Sequence, residues 1–425
     1  MKEESGLPAR AAALLLLSGV LRRKKPLDVL LDDLKTLPPR DAGFARALAS
    51  GTLRHFGELD ATVSHFVPKP LPPHKAGPAM EILLLGAAEL LILKTAAHAA
   101  VDAANKLAAA DPKALHFKPL INAVLRRIAQ EGEAVRAQLD APRLNTPDWL
   151  WQRWEAQYGI EATRAIAIAH QSEAPLDITL KTPESNFPDS NALFGLTRRI
   201  AQSGRIEDMP GFVDGSWWVQ DAAASLPVLM LGEVKGRKVI DLCAAPGGKT
   251  MQLAARGAEV TAVENDPARL VRLKENLVRT GLAATLIESD ARDFAGRAPC
   301  VLIDAPCIAT GTIRRHPDLP WIKQPGDVTA RAPLGYEILE SGAAMVEAGG
   351  ILVFAVCSLE REESEEQIET FMATHSEFVR APLTADELFG HQEWISAEGD
   401  LKTLPCHLGN QGGMDGFYGA RLRRL

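Results

Sequence analysis

The second half of this chain alternates short apolar runs with helical segments, and that alternation restricts the fold more than any other feature. From about residue 216, Val239-Ile240-Asp241-Leu242 leads into a glycine-rich turn. Val260 to Glu264 reads as a second strand, followed by a helix from Asp266 to about Thr280 that stops at Gly281. Thr285 to Ile287, Cys300 to Asp304 and Ile351 to Val356 read as three more strands. Strands alternating with helices form βαβ units, so the expected domain is a mostly parallel α/β Rossmann-like sheet with helices on both faces. Ligands of such sheets lie at the carboxyl ends of the strands. Those ends carry Asp241, Glu264, Asp290, Asp304 and Cys357.

Residues 1–140 follow a different rule. Apolar side chains recur at helical spacing through Ala11–Leu21, Phe44–Phe56, Ala79–Leu93 and Leu120–Ile128, separated by proline-rich breaks. Alanine is abundant and β-branched residues are few, which favours an all-helical bundle. Residues 141–215 are mixed. A helix is expected after Thr146-Pro147, carrying Trp149, Trp151 and Trp154 as core residues, and Leu176–Leu180 alternates as a strand does. The expected organisation is a helical domain (1–140), a small α+β linker (141–215) and the α/β domain (216–425).

Composition excludes several classes. The longest apolar runs, Ala11–Leu17 and Ile82–Leu93, are short or interrupted by Gly86 and Glu89, and neither can span a bilayer. The opening Met-Lys-Glu-Glu does not resemble a secretory signal. The five cysteines form no Cys-x-x-Cys pair, which argues against a zinc knuckle or a disulfide framework and for reduced thiols in a cytoplasmic protein with no metal. The net charge of -7 argues against tight non-specific nucleic-acid binding. Basic residues nevertheless cluster at Arg22–Lys25, Arg126-Arg127, Arg314-Arg315-His316 and Arg421–Arg424. Much of the acidity falls in Glu360–Glu369, a helix expected to lie away from an RNA path.

The first strand of the α/β domain runs into Asp241-Leu-Cys243-Ala244-Ala245-Pro246-Gly247-Gly248-Lys249-Thr250. Small residues let the backbone approach a ligand, and the two glycines permit a tight turn into a helix. A phosphate-binding loop would need glycine where Cys243 stands, and no G-x-G-x-x-G is present. Glu264, at the end of the second strand, is placed to accept both hydroxyls of an adenosine ribose, and Asp290 to meet the adenine. An adenosine ligand without phosphates fits this pattern, and S-adenosylmethionine (SAM) is the obvious one.

The fourth strand ends in Asp304-Ala-Pro-Cys307 and the fifth in Val356-Cys357-Ser358. Adjacent strands would bring both thiols to one mouth. Carbon 5 of cytosine is a poor nucleophile, and a thiolate added at carbon 6 makes it an enamine able to attack a methyl donor. Cys357 lies before the Glu-rich helix, whose backbone donors are expected to favour its thiolate. Asp304 is placed to protonate cytosine N3 as a general acid. Cys307 is left for the release step.

Asp241–Thr250, Asp304–Gly311, Cys357-Ser358, Gln220–Pro227 and the closing Gly413–Leu422 resemble the Sun/Nop2 (NSUN) family of RNA 5-methylcytosine methyltransferases. Ile82–Leu93, Ala97–Asp102 and Ile121–Ile128 resemble the NusB-like RNA-binding domain fused to the bacterial RsmB-like branch, which modifies small-subunit ribosomal RNA. The resemblance implies Cys357 as nucleophile, Cys307 as release cysteine and Asp304 as the carboxylate on the target base. It implies SAM contacts from Cys243–Lys249, Glu264, Asp290 and Asp304, with Lys249 near the reacting centre. It implies no more than a monomer. Departures are Val356, Ile308-Ala309, Pro320 and Gly335, none of which removes a proposed catalytic group. Two other readings compete. A catalytically silent RNA-binding or assembly factor would lack a cysteine or the glycine-rich loop. An exocyclic-amine methyltransferase would carry an Asn/Asp-Pro-Pro-aromatic segment, which Asp304-Ala-Pro-Cys307 does not match.

Overall fold

The computed structural model describes residues 6–185, 187, 189–200 and 204–425; the opening Met-Lys-Glu-Glu lies outside them. The chain packs as two compact units, one running to Ser172 and including Ile313–Lys323, the other comprising Glu173–Thr312 and Gln324–Leu425.

The first unit is helical. Its main helices are Leu7–Arg23, Pro39–Arg54, Phe56–Phe66, Ala79–Leu91, Ala97–Ala110, Lys118–Arg136 and Asp148–His170. Helix Ala79–Leu91 is buried on nearly every side, as its continuous apolar sequence requires of a central helix. Its two buried carboxylates are paired, Glu89 with Arg10 and Glu81 with Arg22, so no charge is buried alone. The expected single helix Phe44–Phe56 is instead broken at His55 (φ -109°). The cause is tertiary. The backbone of Gly57 lies so close to Leu144 that an added Cβ would stand 1.8 Å from its carbonyl oxygen. Trp151 and Trp154 are buried and Trp149 is half-buried. The segment Ile313–Lys323 belongs to this packing: Asp318 accepts the Leu27 N–H at 2.9 Å, and Trp321 lies 4.6 Å from Phe56, donating to the Leu53 carbonyl at 2.8 Å. The basic run Arg314–His316 therefore sits with the helical unit. No described helix is long and apolar enough to cross a membrane.

The second unit holds two sheets. Strands β1 (Leu176–Leu180), β2 (Ser190–Phe194), β3 (Thr197–Ile200) and β4 (Trp217–Val219) form a small antiparallel sheet ordered β2-β3-β1-β4. The larger sheet uses β5 (Lys238–Leu242), β6 (Glu259–Glu264), β7 (Thr285–Glu288), β8 (Ala298–Asp304), β9 (Val346–Val356), β10 (Phe378–Arg380), β11 (Leu401–Thr403) and β12 (Phe417–Arg424). Its order is β10-β12-β9-β8-β5-β6-β7, with β11 paired to β12. The pairs from β9 to β7 are parallel, as the alternating pattern requires. Antiparallel β12, wedged between β9 and β10, was not expected as a strand from periodicity. β9 also starts earlier than expected, at Val346, with a register shift opposite Ala298 that accommodates Gly349-Gly350. The helix after β6 spans Pro267–Thr280; Asp266 caps it by accepting from Ala268 and Arg269 N–H, and Gly281 ends it at φ 61°.

Candidate active site

The turn after β5 is shaped by two left-handed residues. Cys243 has φ 59° and Gly247 φ 106°, and a Cβ at Gly247 would meet Leu273 at 3.2 Å. The helix Gly248–Ala255 starts there. Three backbone carbonyls and amides of the turn are tied to the next β–α unit. Ala244 N–H donates to Val263 O (3.1 Å), Arg269 donates to Ala245 O (2.5 Å), and Asn276 donates to Pro246 O (3.0 Å). Glu264 is buried. Its carboxylate accepts from Ala245 N–H (3.2 Å) and Asp266 N–H (3.1 Å), with Arg269 3.5 Å away. An ionised carboxylate has about four acceptor positions, so two remain for a pair of hydroxyls.

Asp241 is fully buried. Thr250 Oγ1 donates to one oxygen at 2.6 Å and the other has no partner. Burial pushes its carboxyl up to about 7, against the opposing bond from Thr250. A raised acid pKa means the native state holds the proton more tightly than the unfolded chain. The stabilisation is complete below about pH 4 and is lost as pH rises toward the folded value. Asp241→Asn keeps an acceptor for Thr250 and removes that loss. In ligand-free protein its melting temperature, relative to the unaltered chain, should climb steadily from pH 5 to pH 7, by the equivalent of about 1.4 kcal/mol per pH unit at most. Thermal melts across that range check this, and a pH-independent difference would contradict it.

Asp290 lies two residues beyond β7. It accepts from Arg292 N–H (2.9 Å) and from the guanidinium (2.8 Å), which hold its carboxyl down at about 2. Lys249 donates to Asp304 at 2.7 Å and stands 5.1 Å from the ring centroid of Phe417. The carboxylates Glu264, Asp290 and Asp304 thus each have one cation: Arg269, Arg292 and Lys249. The charges of Asp304, Glu264 and Asp241 converge on Cys243, whose thiol is pushed up to about 12, first by burial and then by these three. Such a field suits a ligand that carries positive charge beside ribose hydroxyls, which describes SAM. Cys243 itself stays a neutral thiol.

The two remaining cysteines of interest meet as the strand order requires. β8 and β9 are neighbours, and Cys307 Sγ lies 3.6 Å from Cys357 Sγ. Gly311 makes the approach possible: its N–H donates to Cys357 O (2.9 Å), its carbonyl accepts from Gly416 N–H (2.8 Å), and a Cβ there would stand 2.0 Å from Gly416 O. Gly311→Ala must push the β8 and β9 loops apart, so unfolding free energy should fall by about 3 kcal/mol or more. Denaturant melts check this; a loss below about 0.5 kcal/mol, the range of neutral surface changes, would contradict the packing described.

One expectation is corrected here. The helix rich in glutamate begins only at Glu365, so no helix start faces Cys357. The hydrogen bond with Cys307, burial, and the charge of Asp304 raise the Cys357 thiol well above its ordinary value, and Lys249 alone opposes them. Within the acidic run, Glu360, Glu363 and Glu365 are buried. Glu363 accepts the Ile308 N–H on both oxygens (3.0 and 3.2 Å), a role the sequence reading did not assign. Among the described residues, no cluster of His, Cys, Asp and Glu could hold a metal.

A parallel sheet with a glycine turn after its first strand, a carboxylate closing its second and an acidic mouth is a Rossmann-like methyltransferase domain, joined here to a helical domain. Residues 228–423 match the family described as 16S rRNA methyltransferase RsmB/F, and residues 7–130 match the NusB family. Ribosomal RNA small subunit methyltransferase B of Pseudomonas putida is 35% identical over 447 residues, covering 98% of this chain and 98% of that protein. The protein of the same name from Pasteurella multocida is 31% identical, covering 99% and 96%. The solved structure of PH0851 shares the fold (TM-score 0.75, 21% identity, 97% and 98% covered). A methyltransferase homolog protein from Pyrococcus horikoshii has a TM-score of 0.54 at 25% identity, covering 64% of this chain and 94% of its own. The chain belongs to the RsmB/F family of SAM-dependent RNA methyltransferases.

Proposed function

We propose that this protein methylates carbon 5 of a cytosine in small-subunit ribosomal RNA, with Cys357 as nucleophile. The observation that carries the reading is the pair of thiols 3.6 Å apart at the carboxyl ends of β8 and β9, next to the Lys249–Asp304 pair.

SAM, when bound, supplies an electrophilic methyl group. The turn Cys243–Gly248 would hold it by backbone groups, Glu264 would accept the ribose hydroxyls, and Asp290 would face the adenine. The unpartnered oxygen of Asp241 adds a buried polar atom beside the turn. Cys357 Sγ then bonds to cytosine C6 while N3 takes up a proton. The proton lost by the Cys357 thiol passes through the Asp304 carboxylate to N3, so the addition is balanced. Once Asp304 is engaged by the base, its charge no longer raises the thiol, and Lys249 favours the thiolate. C5, now an enamine carbon, would take the methyl as its bond to the sulfonium sulfur breaks, leaving S-adenosylhomocysteine. The C5 proton then leaves to water, the N3 proton returns to Asp304, the C5–C6 double bond reforms and the C6–Sγ bond breaks. The Cys307 S–H, beside the departing sulfur, stabilises the thiolate that leaves. The NusB-like helical unit would dock the RNA.

RNA carrying tritium at cytosine C5 tests the reaction class. Substitution at C5 releases the tritium to water in step with methyl incorporation. Methyl incorporation without release would move the target to nitrogen or ribose oxygen.

A further inference from the structure

The Cys307 loop is joined to the chain that leaves Cys357 by one buried side chain. Glu363 is 3% exposed and follows the short turn after β9. Both of its oxygens accept the N–H of Ile308, the residue after Cys307. Glu363 lies five residues beyond Ser358 on the chain that leaves Cys357, so this bond ties that chain to the Cys307 loop. Neighbouring polar groups continue the link: Thr310 Oγ1 lies 3.4 Å from Ser358 Oγ and accepts the Leu359 N–H at 2.9 Å. Ala309 stands at φ 62°, a conformation that a non-glycine residue holds only where its surroundings impose it. A carboxylate is an unusual choice for a site this buried, since an apolar residue would fill the space at no desolvation cost. Its two oxygens, however, share the Ile308 N–H and so hold one loop against the other.

We propose that Glu363 is a positioning residue, a clamp that ties the residue next to Cys307 to the turn that follows Cys357 and so sets the distance between the two thiols. The clamp rests on the reading of these cysteines as the reacting pair, but its geometry is testable without RNA. Diamide links two thiols only when they can meet; it is reduced to the hydrazine as the disulfide forms, taking up the two thiol protons and two electrons. Peptide mass spectrometry of the whole protein would report the Cys307–Cys357 linkage, separately from Cys243, Cys300 and Cys406.

The unaltered protein should form that linkage readily. Glu363→Ala should slow it by at least about tenfold, since displacements near 1 Å carry penalties of that order or more. Glu363→Gln, whose amide oxygen still accepts from Ile308, should recover most of the rate. Glu363→Asp keeps the carboxylate but shortens its reach to Ile308, and should slow linkage less than Glu363→Ala; it keeps the test valid should Glu363→Ala fail to fold. Linkage at the unaltered rate in Glu363→Asp, or in folded Glu363→Ala, would overturn the clamp. In the RNA reaction, Glu363→Ala should accumulate a covalent protein–RNA complex resistant to denaturant, with SAM affinity unchanged. Slowed linkage without that complex would support the clamp while removing Cys307 from the release step, so the two readings fail separately.

Discussion

Replacing Cys357 by alanine abolishes methyl transfer, with a loss on the order of 10⁴-fold or more, as expected when a covalent nucleophile is removed. SAM affinity stays unchanged, because the cradle that would hold it is built by β5, β6 and the turn between them. Without Sγ, the proposed addition at C6 that makes C5 nucleophilic is lost. Isothermal titration with SAM and a methyl-transfer assay on the same preparation separate the two quantities. Residual turnover within about tenfold of the unaltered enzyme would exclude covalent catalysis by this residue.

Replacing Cys307 by alanine has the opposite signature. The first bond still forms and the methyl still moves, but the C6–Sγ bond breaks slowly. Enzyme and RNA should remain covalently joined, with multiple turnover reduced by about 10²-fold or more. A band shifted by the mass of the RNA on a denaturing gel, present with SAM and absent in the Cys357→Ala, Cys307→Ala double variant, is the expected readout. Normal turnover without that band would leave the 3.6 Å pairing as packing alone.

The parallel core of the sheet was legible because its strands are short apolar runs that end in chemically distinctive residues. Asp241, Glu264, Asp304 and Cys357 all close or follow strands of one sheet, and its topology delivers them to one edge. The helical unit was legible from spacing, except at His55, where a contact between Gly57 and Leu144, remote in sequence, breaks a pattern that reads as continuous. β12 was hidden because Phe417–Arg424 mixes buried apolar residues with arginines that pair elsewhere; Arg421 donates to Ala381 O, and Arg424 to Val346 O. The place of Ile313–Lys323 was illegible for the same reason. Its anchors, Asp318 and Trp321, bind partners almost three hundred residues away in sequence, Leu27 and Leu53. Glu363 was missed because a buried acid inside an acidic run has the same sequence signature as a solvated one. The expected activation of Cys357 by a helix start failed because a short turn, Arg361–Glu363, separates strand from helix. What remains to lower the thiol is Lys249, which donates to Asp304 in this structure.

The most direct test uses small-subunit ribosomal RNA in which cytosine carries fluorine at C5. Fluorine cannot leave as a cation, so the reaction must stop after methyl transfer with the enzyme still bonded to C6. With SAM present, the account predicts a stable complex whose tryptic digest carries a methylated 5-fluorocytidine on the peptide containing Cys357. A complex linked through Cys307, or no covalent complex from enzyme that methylates the unfluorinated RNA, would contradict it.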